Sequence, residues 1–100
     1  MQVVVFSKTY CPYCHKAKAA LIKAMGNAPF TVLELDTRDP AEEPSSDEIQ
    51  AALYKITGGQ SVPRVFVGGK FIGGGDDTHA KEQSGELKIL IEQAEGLSKI

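Results

Sequence analysis

The stretch Cys11-Pro12-Tyr13-Cys14 contains both cysteines of the 100-residue chain. It follows an apolar run over residues 3–6, and apolar residues recur at helical spacing after it. A strand that leads into a helix with C-x-x-C in its first turn is typical of a dithiol redox site. The sequence therefore predicts a strand, a short loop and a helix whose start carries two sulfur atoms.

The predicted helix start makes the two cysteines unequal. Cys11 falls at the N-cap, where unpaired backbone N–H groups and the positive end of the helix dipole favour a thiolate. Pro12 suits the first helical position because its missing N–H group would have no partner there. Cys14 lies one turn further on, on the inward side of the helix. We expect Cys11 to be the exposed attacking thiol, Cys14 to be the more buried resolving thiol, and the pair to form a redox disulfide.

Three other interpretations of the motif explain its residues less well than a redox site does. Two buried hydrophobic residues would have no reason to flank a proline at one helix start. A structural disulfide would close so short a loop that the unfolded chain would lose little entropy. A zinc site needs about four ligands. Beyond the two cysteines the candidate ligands are His15 and His79, at no recognised spacing, and no metal is expected.

Haem attachment is the sharper alternative, because residues 11–15 spell C-x-x-C-H. Covalent haem needs a second axial ligand, usually Met or His. Met25 would share a helix with His15 and could not reach the opposite face of the haem, and Met1 is terminal, which leaves His79. Because no export signal is visible, we expect His15 to be an ordinary solvated residue in the first helical turn.

Composition excludes several classes of function. The net charge of −2 gives no reason to expect a nucleic-acid or acidic-membrane partner. No apolar run approaches the length of a membrane span. An apolar content of 42% and a length of 100 residues fit one globular domain over residues 1–100. With no targeting segment visible, we expect a monomeric cytoplasmic protein.

The order of the predicted elements is β-α-β-α-β-β-α-α. Strands are predicted over residues 2–6, 30–35, 64–67 and 70–72, and helices start near residues 12, 45, 77 and 86. The first three elements should form a parallel β-α-β unit and the last two strands an antiparallel hairpin. The result is a mixed four-stranded sheet covered by helices, with the motif at the edge where α/β sheets bind ligands.

Two helices carry local expectations. The last helix should run to about Ala94, with Gly96 ending it. The second helix should turn one apolar stripe inward, formed by Ile49, Ala52, Leu53 and Ile56.

Two loops invite a functional interpretation. Three glycines at positions 73–75 let the backbone turn and let another molecule approach closely. Asp76 or Asp77 should then cap the third helix. Pro63 opens a strand and, from base rates alone, should follow a trans bond, since only about 5–6% of X–Pro bonds in folded proteins are cis.

Taken together, the chain resembles the dithiol glutaredoxins over nearly its whole length. The stretches that carry the resemblance are Cys11-Pro12-Tyr13-Cys14, Ser61-Val62-Pro63 and Gly73-Gly74-Gly75-Asp76-Asp77. The family has the thioredoxin fold, an α/β fold in which a four-stranded mixed sheet is flanked by helices. It uses glutathione as reductant, so the resemblance implies glutathione as co-substrate.

The resemblance also implies where one half of glutathione would bind. Lys8 and Gln50 would meet the glycine carboxylate. Tyr13 would flank the binding groove.

The other contacts implied by the resemblance come from the two loops. Val62 would pair with the glutathione backbone through its own main chain, and Pro63 would be cis and face the thiols. The γ-glutamyl end would be held by backbone N–H groups and carboxylates of Gly75, Asp76 and Asp77.

The implied activity is reduction of protein disulfides and of glutathione mixed disulfides. Cys11 would attack a disulfide, or the protein sulfur of a glutathione mixed disulfide, and Cys14 or a second glutathione would resolve the intermediate. The partners would be glutathione or a related small thiol, and disulfide-containing or glutathionylated proteins. The alternative is an iron–sulfur carrier that holds a cluster in a dimer through Cys11 and glutathione. Pro12 is expected to hinder that geometry, and most such carriers read Cys-Gly-Phe-Ser.

Overall fold

The structure, a computed structural model that describes residues 3–26 and 28–98, contains the eight elements in the predicted order. No helix in these ranges is long and apolar enough to cross a membrane. The strands are β1 (Val3–Ser7), β2 (Thr31–Glu34), β3 (Arg64–Val67) and β4 (Lys70–Gly73). The helices are α1 (Pro12–Met25), α2 (Ser46–Thr57), α3 (Gly75–Ser84) and α4 (Glu86–Ser98).

The four strands form one mixed sheet in the order β2-β1-β3-β4. The parallel pairing of β1 with β2 and the antiparallel hairpin of β3 and β4 are as predicted. β1 also pairs with β3, antiparallel. The hairpin turn has positive φ at both central residues, 60° at Gly68 and 80° at Gly69. A tight turn of this kind requires residues without a Cβ penalty, which explains the glycine pair.

The two faces of the sheet are covered unequally. Along β1, Val3, Val5 and Ser7 are buried whereas Val4 and Phe6 are only half-buried. The fully covered face contains the main core, which joins residues of β1, β3, α1 and α4: Val3, Val5, Ala17, Ala20, Leu21, Val65, Val67, Leu87, Ile91 and Ala94. The other face carries α2, which covers it only in part, over a smaller cluster of Leu35, Ile49 and Leu53.

The predicted inward stripe of α2 is only half right. Ile49 and Leu53 are buried, but Ala52 and Ile56 are exposed, Ile56 to 69%. The reason is the partial cover of this face: the whole apolar stripe of α2 borders an open groove over β1, β2 and β3, and Ala52 and Ile56 lie on its exposed side. Helical periodicity identifies an apolar edge but does not show whether another element covers it.

The end of the last helix is also different from the prediction. α4 continues through Gly96 to Ser98. A glycine inside a helix costs only about 1 kcal/mol relative to alanine and need not end it. Helices end at glycine here where the chain turns left-handed, with φ of 82° at Gly58 and 85° at Gly85.

Candidate active site

Cys11 lies at the N-cap of α1, where the sequence places it. Its φ and ψ of −90° and 116° are extended, and Pro12 takes the first helical position. Its Sγ accepts a hydrogen bond from the Cys14 N–H at 3.2 Å. The same sulfur lies 3.7 Å from the Val62 carbonyl oxygen, to which the thiol donates. A half-buried sulfur is thus held at the positive end of a helix, where a thiolate is favoured.

Cys14 has a different environment. Its side chain is fully buried, one turn into α1, whereas Cys11 is partly exposed. Burial raises the pKa of the Cys14 thiol, and the hydrogen bond with Cys11 raises it further; contacts with the Lys8 backbone and the Ser7 hydroxyl oppose this in part. At neutral pH the Cys14 thiol therefore stays protonated, and it must lose its proton before it can attack a disulfide at Cys11.

The loop that reaches Cys11 contains a cis peptide bond between Val62 and Pro63. The base-rate expectation of a trans bond is wrong, and the geometry implied by the resemblance is the one present. The intrinsic preference for trans at proline is only about 0.5–1 kcal/mol, so contacts made by the folded chain can reverse it. A second cis bond, Glu43–Pro44, lies in the loop before α2, where nothing in the sequence predicted it.

The cap of α3 is Gly74 rather than either aspartate. Asp77 supports this cap from inside the helix, because its Oδ2 accepts the Gly74 N–H at 3.3 Å. Asp76 points outward, 70% exposed, and its Oδ1 lies 2.8 Å from the Lys16 Nζ. Both carboxylates therefore stand in the first turn of α3, where negative charge is stabilised by the helix dipole.

A close helix contact places this turn beside the cysteine motif. A Cβ added at Gly75 would lie 2.6 Å from the Tyr13 carbonyl oxygen and 3.0 Å from the Tyr13 Cβ. The start of α3 thus packs directly against the backbone of the motif, and it does so because residue 75 has no side chain.

The other predicted binding residues surround the same region. Tyr13 is 56% exposed, and Val62 presents its carbonyl to Cys11. Gln50 is not simply solvent-facing: its Nε2 donates to the Gln60 carbonyl at 3.2 Å, so it lies against the loop that carries Val62. Lys8 closes the turn before the motif, since its carbonyl accepts the Cys11 N–H at 3.2 Å.

Three residues of the site region were not predicted to act together. Thr9 donates from its N–H and its hydroxyl to the Asp36 carboxylate. His15 Nε2 donates to the Thr9 carbonyl at 3.0 Å, so His15 is bound to the loop rather than merely solvated. The available signal was the position of Asp36, two residues after β2, because parallel strands end at the same edge of a sheet.

Within residues 3–26 and 28–98, no group of three or more His, Cys, Asp or Glu side chains is placed to hold a metal ion.

Comparison with known proteins identifies the family. The glutaredoxin family model matches residues 3–72. A glutaredoxin from Ricinus communis is 51% identical over 92 residues, which make up 92% of this chain and 83% of that protein. The crystal structure of oxidized glutaredoxin 2 from Chlamydomonas reinhardtii is 52% identical with a TM-score of 0.82, covering 93% of this chain and 81% of that one. The buckwheat glutaredoxin–glutathione complex is 41% identical with a TM-score of 0.78, covering 93% and 78%.

These matches agree with the architecture, which is the thioredoxin fold with its four-stranded mixed sheet. They support the oxidoreductase and do not favour the iron–sulfur carrier. Glutathione is accordingly the co-substrate. The chain therefore belongs to the glutaredoxin family, and its activity is glutathione-dependent thiol–disulfide exchange.

Proposed function

We propose that Cys11 is the attacking thiol of this reaction and Cys14 the resolving thiol. The observation that carries the proposal is the contrast between the two sulfurs. Cys11 Sγ is partly exposed at the helix start and accepts the Cys14 N–H, whereas Cys14 is fully buried with a raised pKa. Only the first environment both stabilises a thiolate and leaves it open to a substrate.

With a glutathione mixed disulfide, the Cys11 thiolate attacks one sulfur and the other leaves. We place the attack on the glutathione sulfur rather than on the protein sulfur favoured by the sequence interpretation, because the proposed binding residues hold the glutathione part. A Cys11–glutathione disulfide forms, and the substrate protein leaves as a thiolate that takes up a proton. A second glutathione thiolate then attacks this intermediate, which releases Cys11 and glutathione disulfide.

With a protein disulfide, the second step is internal. Cys11 attacks one sulfur and forms a mixed disulfide with the substrate, whose other sulfur leaves. Cys14 then loses its proton and attacks Cys11, which frees the reduced substrate and closes the Cys11–Cys14 disulfide. Two glutathione molecules supply the two electrons that reopen it.

The proposed binding residues divide into two sets around Cys11. In the first set, Lys8 and Gln50 would meet the glycine carboxylate, with Tyr13 at the rim. Val62 would pair with the glutathione backbone through its own main chain, and Pro63 would face the thiols. Support for this set comes from the Val62 carbonyl facing Cys11 and from Gln50 lying against the same loop.

The second set is the start of α3. Gly75, Asp76 and Asp77 would hold the γ-glutamyl end, the carboxylates binding its ammonium group. Support comes from the packing of this turn against the motif and from the exposure of Asp76.

We further propose a single domain over residues 1–100 that acts as a monomer in the cytoplasm, a reducing compartment. Its substrates would be disulfide-containing or glutathionylated proteins.

The role of the two aspartates is tested by Asp76→Asn and Asp77→Asn, separately and together. Asparagine keeps an acceptor for the Gly74 N–H but removes the charge that would bind an ammonium group. A charged hydrogen bond contributes about 1.5–3 kcal/mol net, so the double variant should raise the KM for a glutathionylated peptide on the order of tenfold or more. The measurement is steady-state turnover against peptide concentration.

Asp47→Asn is the matched control, since Asp47 is also an exposed aspartate in the first turn of a helix, α2. It should leave the KM unchanged. A double variant with a lowered melting temperature and the parental KM would restrict both aspartates to supporting the helix start.

A further inference from the structure

The loop before Cys11 is a tight turn with two exposed residues at its tip. The Cys11 N–H donates to the Lys8 carbonyl at 3.2 Å, which closes a turn over Lys8–Cys11. Thr9 and Tyr10 are its central residues, both exposed, Tyr10 to 70%. The turn therefore carries a proposed glutathione-binding residue at its start and the attacking cysteine at its end.

Asp36 holds this turn from the neighbouring strand. Its Oδ1 accepts the Thr9 N–H at 3.0 Å and its Oδ2 accepts the Thr9 hydroxyl. The pairing of the strands explains these bonds. The Leu35 N–H donates to the Ser7 carbonyl at 2.8 Å, which extends the parallel pairing beyond β2. Residue 36 is thereby placed beside the turn. The Thr9 hydroxyl, followed by the Thr9 N–H and the charge of Lys8, lowers the pKa of the Asp36 carboxyl.

His15 completes the set from the helix side. Its Nε2 donates to the Thr9 carbonyl at 3.0 Å, while its backbone N–H donates to the Cys11 carbonyl at 3.2 Å. All three polar groups of Thr9 are therefore bonded to residues outside the turn. Because Thr9 is exposed, water could satisfy these groups, so their effect is to fix the position of the turn rather than to avoid burial.

We propose that Asp36 and His15 are positioning residues of the reaction, which act through Thr9 to hold Lys8 where it meets the glycine carboxylate of glutathione. The proposal rests on the proposed function, because it needs Lys8 to bind glutathione. Cys11 depends less on these anchors, since its sulfur has its own contacts with the Cys14 N–H and the Val62 carbonyl. Loosening the turn should therefore raise the KM for glutathionylated substrates more than it lowers kcat.

If Asp36 acted only through its charge, its removal would change the KM in the opposite direction. The carboxylate attracts Lys8, so a role confined to that charge would weaken the attraction of Lys8 for glutathione. Removing the charge would then lower the KM. Asp36→Asn removes the charge but keeps both Thr9 groups bondable, through the amide oxygen and amide nitrogen, and it therefore separates the two roles.

The experiment compares Asp36→Ala, Asp36→Asn, Thr9→Val and His15→Ala by turnover of a glutathionylated peptide with glutathione. Asp36→Ala should raise the KM on the order of tenfold, with kcat within about twofold of the parent, because two hydrogen bonds are lost. Thr9→Val and His15→Ala should raise the KM by smaller factors, since each removes one bond. Asp36→Asn should restore most of the parental KM.

Asp39→Ala is the matched control, because the Asp39 Oδ1 accepts a backbone N–H from Ala41 at 2.9 Å in the same connection, away from the turn. It should leave the KM unchanged. An Asp36→Ala variant that loses melting temperature but keeps its KM, or that lowers its KM together with Asp36→Asn, overturns the positioning role. Lys8→Ala is measured in parallel to keep the two proposals distinct. If Lys8→Ala leaves the KM unchanged, the proposed binding role of Lys8 is wrong. If Lys8→Ala raises the KM and Asp36→Ala does not, only the positioning role of Asp36 and His15 is wrong.

Discussion

Cys11→Ser protein is expected to lose every thiol-exchange activity. Cys14→Ser protein should still reduce glutathione mixed disulfides but should lose most of its activity on protein disulfides. A serine hydroxyl is not appreciably ionised at neutral pH and cannot replace the attacking thiolate. In Cys14→Ser the Cys11–glutathione disulfide can still be released by a second glutathione. Reduction of glutathionylated substrates should therefore persist, and it should become faster if Cys14 normally diverts the intermediate into the closed disulfide.

Protein disulfides should distinguish the two variants further. Without Cys14 the internal second step is gone, so Cys14→Ser should reduce an intramolecular protein disulfide far more slowly than the parent. The measurement is turnover of both variants on both substrate types. If Cys14→Ser is as inactive as Cys11→Ser on a glutathione mixed disulfide, the reaction requires both thiols in every cycle and the proposed division is wrong.

Gly75→Ala should have a large effect for so conservative a change. The added methyl would lie 2.6 Å from the Tyr13 carbonyl oxygen, a backbone atom that cannot swing aside. Either α3 or the start of α1 must shift, and such overpacking costs about 1–3 kcal/mol. For a domain of this size the melting temperature should fall by about 4–8 °C per kcal/mol. Displacing the proposed γ-glutamyl site should also raise the KM for glutathionylated peptide.

Gly74→Ala is the matched control, one residue away. A Cβ at Gly74 would meet only the Pro63 carbonyl oxygen, at an ordinary 3.5 Å, and the backbone there is extended. Because alanine is a poorer N-cap residue than glycine, the melting temperature of Gly74→Ala should fall slightly, but by less than that of Gly75→Ala. Thermal melts and turnover of both variants test the contact, and a Gly75→Ala variant with parental stability and KM would show that α3 does not set the site geometry.

The features of the fold that the sequence predicts correctly are those with local causes. Cys11 and Pro12 start α1 because of helix-terminus chemistry, which depends only on neighbouring residues. The hairpin turn at Gly68 and Gly69 likewise follows from the left-handed backbone that a two-residue turn needs. The wrong prediction for Ile56 has the opposite cause, because its exposure depends on whether a distant element covers α2.

The distinction between local and long-range causes also applies to the site. The proposal that the two cysteines form a redox pair follows from their spacing and helix position. The bonds of Thr9 to Asp36, 27 residues away, depend on the register of β1 against β2. The bond of Thr9 to His15 is local and depends on how the loop meets the first turn of α1. Base rates mispredict the bond before Pro63 because the folded chain overrides a small intrinsic preference.

The central claim, that Cys11 attacks the glutathione sulfur and Cys14 resolves, is tested most directly by intact-protein mass spectrometry. Each single-cysteine variant is mixed with one equivalent of glutathionylated peptide, without free glutathione, and quenched with acid after short times. The account predicts that Cys14→Ser gains one glutathione at Cys11 and releases free peptide, while Cys11→Ser gains nothing over the same period. Faster modification of Cys14 in Cys11→Ser, or a peptide adduct in place of glutathione on Cys11, would contradict it.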